Sequence, residues 1–155
     1  MDMYELLKWL HIVSSVLLVG TGFGSAFYMF MVNRSKNLQA QRVVSYLVVK
    51  ADWWFTLPTV IIQPITGFAM AHLAYFPLDA LWMKWTYLLY GLAALCWLPV
   101  VWLQIQMSRM VSLADQAAAP LPPKFWRYAR YWQRLGYPAF AAMLGIYWLM
   151  VAKPT

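Results

Sequence analysis

Four long apolar runs, separated by short polar turns, leave this chain few folds to choose from. A helix needs about 20 apolar residues to cross roughly 30 Å of hydrocarbon. Runs of that length fall at about 4–32, 41–74, 81–115 and 124–152. Helices also satisfy their backbone polar groups internally, which lipid requires. Only 11% of residues are charged, against about 25% in soluble domains, so the chain is not built to face water all round. The expectation is one all-α domain over 1–155, a four-transmembrane-helix bundle with the lipid bilayer as its solvent. The start, Met1 to Glu5, is acidic where a signal peptide would be basic, so the first run reads as a retained helix.

The net charge of +7 would suggest nucleic acid in a soluble chain. Here the basic residues sit in clusters between apolar runs, so topology accounts for them and no nucleic-acid partner is expected. Nine of them (Arg34, Lys36, Arg42, Lys50, Arg109, Lys124, Arg127, Arg130 and Arg134) follow the first and third runs. Only Lys8, Lys84 and Lys153 belong to the other side. Lys and Arg mark cytoplasmic loops. Both termini are therefore expected outside, in a bacterial-type inner membrane. Arg127, Arg130 and Arg134 recur on one helical face, as in a helix lying against anionic headgroups.

Pro58 and Pro64 interrupt the second run. Each removes a backbone donor and frees a carbonyl, which Thr56, Thr59 and Thr66 are placed to satisfy. Small residues mark close helix contacts in lipid. Gly20, Gly22, Gly24, Ser25 and Ala26 in the first helix, and Ala141 and Gly145 in the fourth, are read as intramolecular seams, with homodimerisation as the alternative. Cys96, the single cysteine, reads as a packing residue.

Ionisable groups within a membrane point to function by default. His11 lies one to two turns inside the outer face, with Ser14, Ser15, Leu18, Gly22 and Ser25 following at helical spacing. An inward histidine can bind haem iron or another metal, or move protons; the bland alternative is a histidine satisfied by a neighbouring hydroxyl or carbonyl. His72 ends the second run on the same side, which suggests a bis-histidine haem b, although a regular helix points it away from Gln63. Lys8 and Lys84 could snorkel to water or pair with porphyrin propionates, with Trp82 and Trp85 beside Lys84 lining a flat ligand. Asp52, at the inner boundary, is expected to pair with Lys50, Arg34 or Arg42 or to cap its helix. Thr56, Thr59, Gln63, Thr66 and Met70 form a polar stripe that could border a cavity or line a path. Phosphate-binding loops, zinc-protease motifs and serine triads are absent from the sequence.

Several segments together carry a family resemblance. They are Leu7 to Ile12, Gly20 to Phe27, Asp52 to Thr56, Pro64 to Gly67, Cys96 to Gln104, Leu135 to Phe140 and Leu149 to Pro154. Nearly the whole chain resembles the bacterial integral membrane proteins catalogued as domain of unknown function 2269, a resemblance that implies a membrane fold and no particular activity. The chain is more distantly similar to HemJ-type protoporphyrinogen oxidases, through Leu7, Leu10, His11 and Ile12 and through Trp82 with Lys84. Those proteins bind haem b. Their arginine soon after the first histidine has no close counterpart, Arg34 being much further along, so the resemblance implies porphyrin binding rather than porphyrinogen oxidation. CopD-type membrane domains look like a further relative.

The leading expectation is therefore a haem b or porphyrin protein, a candidate membrane oxidoreductase passing electrons to a quinone or porphyrin. His11 and His72 would be the metal ligands, and Lys8 and Lys84 would complete the cofactor-binding set. The alternative is a non-enzymatic accessory subunit or a small-solute or metal permease component without cofactor, working with a membrane partner protein. A purely structural bundle is the third reading.

Overall fold

The structure, a computed structural model, describes residues 2–154. Asp2 and Glu5 open the first helix, Met3–Ser35, with a reciprocal capping box: the Glu5 amide donates to the Asp2 carboxylate at 2.7 Å, and the Asp2 amide to the Glu5 carboxylate at 3.0 Å. Lys36, in the left-handed region at φ 55°, ends it. Asn37 caps the second helix by accepting from the Ala40 amide at 3.0 Å. The second helix runs through Leu38–Leu73, the third through Leu81–Gln116 and the fourth through Pro123–Ala152. All four are long and apolar enough to cross a membrane, and no strand occurs among the described residues.

The second helix is not uniform. Asp52–Thr56 forms a π turn in which the Leu57 amide bonds the Asp52 carbonyl. The wide turn lies immediately before Pro58, which has no proton to offer the preceding turn. It divides the helix into two parts. The part before it packs on both the third and the first helix, and the part after it chiefly on the first. The fourth helix packs along the third, while close backbone packing of the fourth on the first is missing from the ring. A stack between Phe23 and Phe140, with ring centres 5.1 Å apart, and a Tyr147 hydroxyl donating to the Ser15 carbonyl at 3.1 Å bridge that side.

Two apolar clusters hold the ends. The larger joins all four helices through Met29, Val48, Leu103, Met107, Phe125 and Trp132, at the end that carries the basic loops. The smaller gathers Ala71, Trp82, Met83 and Leu149 at the other end. In the fourth helix Phe125, Ala129 and Trp132 are buried while Arg127, Arg130 and Arg134 are exposed, so its first turns are amphipathic. Cys96 is buried and free.

The glycines depart from the expectation of seams. A side chain at Gly20, Gly22 or Gly24 would meet nothing within 4 Å, so these positions do not bring two backbones together. Gly145 does mark a close approach, since a Cβ there would lie 2.9 Å from Leu89 Cδ1. Asp52 also departs from expectation. Arg42 pairs with Asp115, joining the second and third helices, and Asp52 has no ion pair among the described residues. The basic side chains project toward water at the bundle's end, whereas Asp52 is only 5% exposed.

Candidate functional site

The proposed iron ligands come first. His11 is half-buried against the second helix. Its Nδ1 lies 2.8 Å from Thr66 Oγ1, and its ring edge rests on Gly67, where a Cβ would come within 3.4 Å of Cε1. Gln63 donates from Nε2 to the His11 carbonyl at 2.7 Å and also to Ser14 Oγ. Thr66 Oγ1 lies 2.8 Å from the Ile62 carbonyl. With its one proton placed there, Thr66 accepts from His11 Nδ1–H, which leaves the lone pair on Nε2. This network stitches the first helix to the second. Gln63 and Thr66, the upper part of the polar stripe, are therefore spent on the seam and do not line a path.

The other members of the set lie elsewhere. His72 is exposed at the end of the second helix and is not presented to His11 as a facing partner. Six residues separate it from Thr66, which turns it onto another side of the helix. Lys8 and Lys84 are exposed. Trp82 is buried beneath Lys153, whose ammonium lies 5.6 Å from its ring centre and 4.6 Å from that of Phe76, while Trp85 is exposed. Lys8, Lys84 and His72 thus lie on exposed faces, while His11 is turned into the seam with the second helix.

A separate feature is a cavity of about 400 Å³ bordered by all four helices. That is within the roughly 300–1,000 Å³ range of small-molecule sites. Its wall is mostly apolar and aromatic, with Phe23, Phe30, Trp97, Trp132 and Phe140 among its residues. Gly22, Ser25, Ala26, Ala93 and Ala94 border it too. The small residues of the first helix thus leave room instead of closing it. Phe23, Phe27 and Tyr137 border the cavity and are exposed at the surface, so the cavity opens sideways between the first and fourth helices, where lipid would lie.

Polar atoms sit in this wall. Asp52 Oδ2, Thr56 Oγ1 and Gln104 Oε1 are buried side-chain atoms without a hydrogen-bond partner, and all three residues border the cavity. Leaving a buried polar atom unpaired costs about 1–3 kcal/mol, more for a charged one. Three such atoms belong to residues that border one cavity, whose lining also includes Ser25, Tyr90 and Gln133. The π turn carries Asp52 and Thr56, and such turns recur at functional sites. None of His11, His72, Lys8 and Lys84 borders the cavity. Leu18 is the outermost first-helix residue that does, seven residues from His11, about 10 Å of helix rise.

Asp52 and Thr56 were visible in the sequence as polar residues at a membrane boundary. Gln104 carried no such signal, because polarity near the end of a span reads as its exit from the membrane, and Tyr90 carried none because a tyrosine within an apolar run reads as packing. Only the tertiary arrangement turns them toward one space.

A family model described as predicted integral membrane protein, DUF2269, matches residues 5–154. No curated protein and no solved structure matches the chain.

Proposed function

The chain belongs to the DUF2269 family of predicted integral membrane proteins, and on that premise we propose that it binds a small amphipathic molecule within the membrane. The observation that carries this reading is the cavity of about 400 Å³, apolar and aromatic along its wall, bordered by three residues, Asp52, Thr56 and Gln104, that each carry a buried unpartnered oxygen atom. The sideways opening lets a ligand enter from lipid. This is the chemistry of a carrier, permease component or accessory subunit, and it also admits a quinone as ligand. The charge asymmetry supports an orientation with the basic end in the cytoplasm and both termini outside a bacterial inner membrane. The test is mass spectrometry of small molecules that copurify after mild detergent extraction. An amphipathic molecule retained by the protein and lost from Gly22→Leu supports the reading. Equal retention by both proteins contradicts it.

A second reading, haem b or a porphyrin held by His11 near the outer face, rests on one observation. Thr66 fixes the His11 ring through Nδ1 and leaves Nε2 with a lone pair, as second-shell partners do for metal-ligating histidines. An iron so bound would supply one-electron chemistry. Its test is an absorption spectrum of protein made under haem-sufficient expression. A Soret band with α and β bands that sharpen on reduction, lost in His11→Ala, supports it; a colourless folded protein that takes up no haem removes it.

A further inference from the structure

We infer that the cavity's ligand carries a protonated amine, an ammonium on an apolar body; this rests on the cavity reading above and names the class of molecule. Two of the unpartnered oxygens can only accept. Asp52 Oδ2 is a carboxylate oxygen and Gln104 Oε1 an amide carbonyl oxygen, both buried without a well-formed hydrogen bond, and the Thr56 hydroxyl oxygen lies beside the carboxylate. Asp52, Gln104 and Thr56 are 5%, 4% and 3% exposed, so bulk water does not serve them. A carboxylate and an amide oxygen accept hydrogen bonds, and a hydroxyl can do so, while an ammonium offers three N–H donors and no acceptor.

Charge points the same way. No Lys or Arg borders the cavity, and the one ion pair among the described residues is Arg42 with Asp115. A buried carboxylate without a countercharge is costly, and a cationic ligand would supply that charge. Aromatic rings favour a cation over their faces as well, and Trp97, Trp132 and Phe30 stand in the same wall.

The ammonium could belong to a free amphipathic amine or to an ethanolamine lipid headgroup. The experiment compares naphthylmethylamine, protonated at neutral pH, with neutral naphthylmethanol. The two have the same ring and the same number of heavy atoms. Full-length protein is titrated with each in phosphatidylglycerol nanodiscs, and affinity is corrected for partition into protein-free discs. At least tenfold tighter binding of the amine is expected. Asp52→Asn removes that preference, bringing the affinities of the two probes to within about twofold of one another, and Gln104→Leu reduces the preference in a protein whose carboxylate is intact. Equal affinity of the two probes for the unaltered protein overturns the ammonium assignment while the cavity reading stands, and that comparison needs no variant to fold. A preference that survives Asp52→Asn also overturns it. Failure of both probes to bind overturns the cavity reading and the assignment together. Once the preference is found, adding phosphatidylethanolamine to the discs separates the sources: competition with the amine marks the lipid headgroup, and unchanged affinity marks a free amine.

Discussion

The Tyr90 hydroxyl donates to the carbonyl of Val60, the acceptor four residues before Pro64. In an unbroken helix the residue at 64 would serve that carbonyl, but proline has no N–H. A side chain on the third helix thus repairs the backbone of the second beside the cavity that Val60 and Tyr90 both border. Tyr90→Phe is expected to destabilise the protein by about 1 kcal/mol, the usual size of an interhelical hydrogen bond in lipid. In a Pro64→Ala background the new amide serves Val60, and most of the Tyr90→Phe penalty disappears. Thermal unfolding of the four proteins in one detergent checks this as a double-mutant cycle.

The glycines separate into two groups. Gly145→Val forces a branched side chain against Leu89, where even a Cβ would lie at 2.9 Å, and overpacking of this kind costs about 1–3 kcal/mol. Gly20→Ala and Gly24→Ala meet open space and leave stability unchanged or raise it by up to about 1 kcal/mol through helix propensity. Melting temperatures of the three variants decide it.

Number and class of elements were legible in the sequence because lipid allows so little choice: an apolar run of 20 or more residues has to be a helix. The partners of polar residues were harder to read. Asp52 was expected to meet Lys50, Arg34 or Arg42 at the inner boundary or to cap its helix, yet it has no ion pair among the described residues, and Asp115, 73 positions beyond Arg42, takes that arginine. Thr56, Thr59 and Thr66 were expected to serve proline-freed carbonyls. Thr59 instead bonds the carbonyls of Phe55 and Thr56, Thr66 those of Ile62 and Gln63, and Tyr90 does the repair at Val60. The glycine run looked like a seam because small residues serve equally to close a gap and to leave one. Which of the two they do depends on the missing fourth-to-first helix packing, a tertiary fact no local pattern records.

The Arg42–Asp115 pair is partly exposed, 53% and 20% for the two side chains. Surface pairs of this kind contribute about 0.2–1 kcal/mol and weaken with salt. Arg42→Gln and Asp115→Asn should each lose an amount in that range, and the double variant should lose no more than either alone. Asp52→Asn should add independently to Arg42→Gln, since Asp52 is not its partner. Unfolding at low and high salt measures each term.

The central claim is that the space between the helices is a binding site. Gly22 borders it, and a Cβ built there meets nothing within 4 Å, so Gly22→Leu adds an isobutyl group to the wall of the cavity at a position with room for its first carbon. The most direct measurement is the affinity of naphthylmethanol for the unaltered protein and for Gly22→Leu in identical nanodiscs, with melting temperatures recorded on the same samples. Saturable binding that weakens at least tenfold in Gly22→Leu, at unchanged melting temperature, is the predicted result. Equal binding by both proteins, or no saturable binding by the unaltered one, would contradict the account.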